Sequence, residues 1–179
     1  MPKIESRLNT RSEDYEANRE ALLERIEEVR TLEASVRAHG EQRRAKFESR
    51  GQLIPRERVE RVLDPGSDFL ELSTLAGLNM HDDKGGDSSM GGGNICGIGF
   101  VAGNRTMVTA NDAAIKGGTI APMGLEKTLR AQEIAMRERL PTISLVESGG
   151  ANLMYQSEIF VPGGQIFCNM ARASAMGLP

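Results

Sequence analysis

The stretch from Ile95 to Met176 narrows the possible folds more than any other part of the chain. Ile95 to Ala102 alternates small and apolar residues, Gly103-Asn104 is a hairpin turn signal, and Thr106 to Ala110 reads as the return strand. Asn111 to Gly118 leaves that hairpin as a loop ending in Lys116-Gly117-Gly118-Thr119. Leu125 to Arg139 predicts a helix, with Leu125, Leu129, Ala135 and Met136 near one face and Pro141 closing it. Thr142-Ile143-Ser144-Leu145-Val146 is a short apolar run of the kind found in buried strands, and it empties into Glu147-Ser148-Gly149-Gly150-Ala151-Asn152. Gly163 to Met176 predicts a last helix, with Ile166, Met170 and Ala173 on one face and Gly177 as its C-cap. Hairpin, helix, strand, glycine loop, helix is an α/β order. A helix of this kind normally packs on the strand after it, so the chain is expected to be a piece of a longer one.

Upstream the pattern is different. Residues 10 to about 50 are highly charged, and Leu22, Leu23, Ile26, Val29, Leu32 and Val36 recur at 3–4 spacing, which marks one face of a long amphipathic helix. Ser12 followed by Asp14 and Glu16 is its start signal; Gly40 is a candidate interruption and Gly51 the expected end. Such a helix is either a solvated arm on its own domain or a contact with a partner subunit. Pro55 stands at an expected first turn ahead of Arg56 to Leu63, with Asp64-Pro65-Gly66 as the stop, and Phe69-Leu70-Glu71-Leu72 is a short strand candidate. Met80 to Gly93, rich in glycine with almost nothing to bury, reads as a mobile surface loop.

Composition excludes several classes. A net charge of −3 gives no basic field for nucleic acid. Cys96 and Cys168 are far apart, with no Cys-x-x-Cys, which argues against a zinc ribbon or a disulfide framework and fits a reducing cytosol. No run approaches a membrane span, so a cytoplasmic chain that binds no metal, nucleic acid or membrane is expected. His39 and His81 have no nucleophile placed beside them, and Ser148 does not lie in a Gly-x-Ser-x-Gly elbow.

Two places carry chemistry. Gly149, Gly150 and Ala151 come after an apolar strand, where backbone N–H groups can approach a ligand and stabilise charge growing on a carbonyl oxygen; the plain alternative is a sharp strand-to-helix turn. Lys116, Gly117, Gly118 and Thr119 place an ammonium beside backbone donors, which suits a phosphate; the alternative is an exposed turn lysine. Lys127 and Arg130 sit early in the next helix, an unusual place for cations unless an anion is near.

Four ordered motifs carry a resemblance. Arg50-Gly51-Gln52-Leu53-Ile54-Pro55-Arg56-Glu57-Arg58, then Asn111-Asp112-Ala113 with Lys116-Gly117-Gly118-Thr119, then Leu129-Arg130-Ala131-Gln132-Glu133-Ile134-Ala135, then Glu147-Ser148-Gly149-Gly150-Ala151-Asn152-Leu153 resemble, in register, the carboxyltransferase β subunits of biotin-dependent acyl-CoA carboxylases. The resemblance implies an α/β crotonase-like β-β-α superhelix, here incomplete and preceded by the long helix. Residues 1–50 would be a charged arm, and 51–179 the N-terminal part of the acyl-CoA domain. It implies transfer of a carboxyl group from carboxybiotin to an acyl-CoA, with biotin on a partner biotin carboxylase/biotin carrier (α) subunit and β subunits in a homo-oligomer, expected to be a hexamer. Gly149, Gly150 and Ala151 would hold the thioester, and Lys116, Gly117, Gly118, Thr119, Lys127 and Arg130 would meet CoA. A second glycine loop and the carboxybiotin domain would come after Pro179, so the chain alone is expected not to turn over. Ala151-Asn152-Leu153 is similar to the methylcrotonyl-CoA and geranyl-CoA branch, although Met154-Tyr155-Gln156 and Val161-Pro162-Gly163-Gly164 depart from the methylcrotonyl pattern. The other readings are a propionyl- or acetyl-CoA enzyme, a decarboxylase β-type subunit or another crotonase-like acyl-CoA enzyme, and a non-catalytic assembly module.

Overall fold

The computed structural model describes residues 5–80 and 90–179. It divides into two compact units, Met1–Ser35 and Val36–Pro179. The first unit is mostly the N-terminal part of α1 (Glu13–Gln42), which starts where the sequence predicts: the Ser12 hydroxyl accepts the Tyr15 N–H at 3.3 Å, a capping bond. Leu22, Leu23, Val29 and Leu32 of its apolar stripe are exposed. Gly40 does not interrupt the helix. The break comes at Arg43, and α2 (Arg44–Glu48) runs on to Gly51, whose φ of 66° ends the helical stretch.

In the second unit α3 (Pro55–Val62) opens on its proline, whose missing N–H costs nothing in a first turn. A four-stranded sheet comes next in the order β1 (Leu70–Glu71), β2 (Asn94–Val101), β3 (Asn104–Asn111), β4 (Thr142–Leu145). β1–β2 and β2–β3 are antiparallel and β3–β4 parallel, the last pair joined through α4 (Pro122–Arg137). The predicted hairpin is present, and Asp64 holds its turn: both carboxylate oxygens accept N–H groups at 2.7 Å, from Ala102 and Gly103.

Alternation along β2 and β3 divides the core between two faces. Cys96 and Met107 pack with Ala131, Ala135 and Leu140 on the α4 side; Ile95, Val108 and Ala110 pack with Val59 of α3 on the other. Phe47, Ile54 and Ala114 form a third cluster where α2 meets the loop after β3.

Three expectations need correction. β4 is not buried: among the described residues it is an edge strand paired with β3, its side chains are half-buried or exposed, and Val146 is 71 % exposed. The last helix, α5 (Gln156–Ala175), starts seven residues early and carries Pro162 inside it; Ile159 and Asn169 are its buried residues, while Met170 is exposed. Its end is as read, with Gly177 at φ 70° and the Leu178 N–H returning to the Ala173 carbonyl at 2.9 Å. Of the loose stretch expected over Met80 to Gly93, residues 81–89 lie outside the described residues, His81 among them. Its end is anything but loose: Gly91, Gly92 and Gly93 are buried, Gly92 against the Gly124 backbone, and the Gly91 carbonyl accepts from the Lys127 ammonium and the Gly93 carbonyl from the Asp112 N–H.

Candidate functional site

Because β3 and β4 are parallel, the loops at their C-terminal ends leave the same end of the sheet, which is where α/β proteins form ligand crevices. The two stretches singled out in sequence, 116–119 and 147–152, are therefore neighbours, and they are bonded together. The Ile120 N–H donates to the Gly150 carbonyl at 2.8 Å and the Asn152 N–H to the Ile120 carbonyl at 3.0 Å, a parallel bridge between Ile120 and Ala151. The Gly118 carbonyl accepts from the Gly149 N–H at 3.3 Å and from the Ser148 hydroxyl at 3.2 Å. Two glycines make this approach possible. A Cβ on Gly118 would collide with the Glu147 carbonyl, and one on Gly149 would stand 2.9 Å from Thr119 Oγ1 and 3.0 Å from the Gly117 carbonyl.

These bonds sort the expected backbone donors. The Gly149 N–H is held by Gly118, and the Gly150 N–H donates to the Ser148 hydroxyl at 3.1 Å. In the parallel bridge Ile120 bonds to the residues on either side of Ala151, which turns Ala151's own N–H to the opposite side. Among the described residues that N–H has no acceptor.

Beside the loops is a cleft of about 380 Å³. Phe47, Ala113 and Ala114 give it an apolar lining, Gly117, Glu147 and Ser148 line it from the two loops, and Arg43, Lys46, Arg50 and Lys116 bring four cations to it. Lys116 is presented by a turn that Asp112 holds: its buried carboxylate accepts the Ala114 N–H at 3.0 Å, and the Ile115 N–H returns to the Asp112 carbonyl at 2.9 Å. Burial raises the Asp112 carboxyl above the usual aspartate range. The one carboxylate among the lining residues, Glu147, is paired with Arg58 of α3 at 2.8 Å.

Of the residues expected at the site, Lys116 and Gly117 line the cleft, whereas Gly118, Thr119, Gly149, Gly150 and Ala151 lie in the bonded loops beside it, and Lys127 and Arg130 are placed apart from both. Lys127 is 5 % exposed, and its ammonium donates to the carbonyls of Gly91 at 3.0 Å and Asn94 at 2.8 Å; burial draws its pKa below the usual lysine range. α4 also begins three residues earlier than the pattern predicts, which moves Lys127 out of the first turn. Arg130 is on the surface in an ion pair with Glu133 at 2.6 Å. Sequence reasoning missed Arg43, Lys46 and Arg50 as a group. The signal was available, since spacings of three and four put them on one helical face ahead of Gly51.

Among the described residues no group of three or more His, Cys, Asp or Glu is placed to hold a metal ion, and no helix is long and apolar enough to cross a membrane.

Residues 46–179 match the model of the carboxyl transferase domain. The chain belongs to the carboxyl transferase family. This carboxyl transferase chain is 50 % identical over 151 residues to the biotin-dependent 3-methylcrotonyl-coenzyme A carboxylase beta1 subunit of Mycobacterium tuberculosis, covering 83 % of itself and 28 % of that protein. It superposes on the P. aeruginosa geranyl-CoA carboxylase beta subunit with a TM-score of 0.89 at 53 % identity, over 99 % of its own length and 33 % of that chain. The transcarboxylase 12S core, at 24 % identity and a TM-score of 0.73, shares the fold over 84 % of the chain and 30 % of its own. The crotonase-like α/β fold expected from the motifs is thereby established. The chain spans about a third or less of the length of these relatives.

Proposed function

We propose that the chain supplies the acyl-CoA-binding part of the carboxyltransferase subunit of a biotin-dependent acyl-CoA carboxylase, favouring a branched or longer acyl group. The observation that carries the reading is the joining of the two glycine loops beside a four-cation cleft, in a chain of the carboxyl transferase family. CoA is an anionic pyrophosphate nucleotide on a neutral pantetheine arm ending in a thioester. Arg43, Lys46, Arg50 and Lys116 suit the phosphates, as clustered cations and turn N–H groups do generally. The outward N–H of Ala151 is the donor assigned to the thioester carbonyl, where charge grows as the acyl carbon is deprotonated. Gly149 and Gly150 shape the loop that aims it. Residues 51–179 are the acyl-CoA part proper, and residues 43–50 of the arm lend it three cations.

Biotin is carried by a partner biotin carboxylase/biotin carrier subunit and supplies the carboxyl group. The β subunits form a homo-oligomer, with a hexamer expected, in the cytoplasm; the transcarboxylase 12S core is itself a hexamer. The branched or longer acyl group is favoured by the two relatives at 50 % and 53 % identity, which are methylcrotonyl- and geranyl-CoA enzymes.

The test is bicarbonate-dependent carboxylation by the full-length subunit assembled with its biotinylated partner, on 3-methylcrotonyl-, geranyl-, propionyl- and acetyl-CoA. Turnover of the first or second is expected. Preference for propionyl- or acetyl-CoA would move the enzyme to the other branch, and a formed complex inert on all four would leave an assembly module.

A further inference from the structure

Glu147 places a carboxylate in the wall of a cleft proposed to hold phosphates, where its charge opposes the ligand. Two side chains hold this carboxylate, Arg58 from outside the cleft's lining and Gln52 from within it. Arg58, which is not one of the cleft's lining residues, contacts Glu147 Oε2 at 2.8 Å, both side chains being about a quarter to a third exposed. The Gln52 side-chain amide donates to Oε1 at 3.4 Å, and the Glu147 N–H is held by Asn111 Oδ1 at 3.3 Å. Eighty-nine residues of sequence separate Arg58 from Glu147, so α3 reaches the loop through this pair from outside the glycine motifs.

We infer, on the strength of the proposed acyl-CoA function, that Arg58 is a positioning residue that neutralises Glu147 and draws its carboxylate away from the path of the CoA phosphates. Without Arg58 the glutamate remains in the wall as an uncompensated negative charge. It then cancels part of the field of Arg43, Lys46, Arg50 and Lys116. The effect is specific to the phosphates, because the pantetheine thioester carries no charge for Glu147 to repel.

The experiment compares two substrates in the assembled enzyme: 3-methylcrotonyl-CoA and the phosphate-free 3-methylcrotonyl-pantetheine. Its readout is the ratio of their kcat/KM values. Arg58→Ala is expected to lower that ratio by about five- to tenfold, as one unscreened charge at cleft distances would, and the loss should shrink as salt is raised. Adding Glu147→Gln to Arg58→Ala removes the stranded charge and is expected to bring the ratio back to within about twofold of wild type, a coupling expected of residues in direct contact. Arg58→Lys, which keeps the charge but loses the fork geometry, should fall between. If Arg58→Ala slows both substrates alike and Glu147→Gln restores nothing, the pair is only structural and the inference is overturned. If the wild-type enzyme turns over another of the four acyl-CoAs instead, the same ratio is read with that acyl group on CoA and on pantetheine; if it carboxylates none of the four, the acyl-CoA reading itself fails, and that result is separate because it precedes any substitution.

Discussion

Gly118 and Gly150 both have positive φ, at 74° and 90°, yet only one of them is crowded. A methyl group on Gly118 meets the Glu147 carbonyl, whereas one on Gly150 has nothing within 4 Å. The two substitutions therefore separate backbone strain from steric collision. Gly150→Ala should cost about 1 kcal/mol, the strain of a left-handed alanine. Gly118→Ala adds the collision and should cost about 2–4 kcal/mol. It should also push the 147–150 segment off its bonds to Gly118. Urea denaturation reads both as a shift of midpoint at constant slope. Equal shifts would mean that the loops move apart cheaply and that their bonding does not fix the Ala151 donor.

Elements are joined in this fold by a few buried charges, and Glu71 is the clearest. Its side chain, 8 % exposed, takes a bidentate pair from Arg56 of α3 at 2.9 Å on both oxygens and a third contact from Arg37 near the end of α1 at 3.5 Å, so β1, α3 and α1 converge on one carboxylate. Burial is the largest single influence and would raise its pKa, but the hydrogen bonds from Arg56 together with the charges of Arg56, Lys127 and Arg37 outweigh it, and the net shift is downward. A carboxyl whose folded pKa lies below its unfolded value of about 4.3 stabilises the fold above that value and loses the contribution as pH falls through the folded pKa. Glu71→Gln should thus destabilise at pH 7, by about 3–5 kcal/mol because the buried Arg56 pair is broken and Arg37 loses this contact, and flatten the acid side of the stability profile. Thermal melts between pH 7 and pH 3 check this; an unchanged acid limb in the variant would remove Glu71 from the account. Legibility in the sequence divides in the same way between local and long-range. The hairpin, α3 and the Gly177 cap are readable because period-2 alternation, a first-turn proline and a left-handed glycine are local signals. The two glycine loops are readable as motifs, and their adjacency comes from the parallel β3–β4 pair. The pairing of Arg58 with Glu147, the inward turn of Lys127 and the burial of Gly91–Gly93 depend on partners tens of residues away, which no local pattern encodes. Pro162 and its neighbouring glycines suggest a helix start, but α5 accommodates them, as helices do when one missing N–H is tolerated.

At the scale of the whole molecule, the cut between the two units falls inside α1, between Ser35 and Val36, and not at the end of the charged stretch. The reason is packing. Val36 and Gly40 are buried, Phe47 belongs to a core cluster with Ile54 and Ala114, and Arg43, Lys46 and Arg50 line the cleft, so the last part of the arm already belongs to the second unit. The exposed stripe of Leu22, Leu23, Val29 and Leu32 lies wholly in the first. Removal of residues 1–35 should then leave the second unit intact: the midpoint of thermal unfolding should move by less than about 3 °C, and amide protection along β2 and β3 should be preserved. On the proposed acyl-CoA reading, the same deletion should spare affinity for acyl-CoA, since all four cations of the cleft lie beyond residue 35. If the subunit still binds acyl-CoA with an unchanged Kd while it no longer co-purifies with its partner, the stripe serves assembly and the cleft serves the substrate. If KM rises with the complex intact, the first 35 residues take part in substrate binding, and the site extends further into the arm than its lining residues indicate.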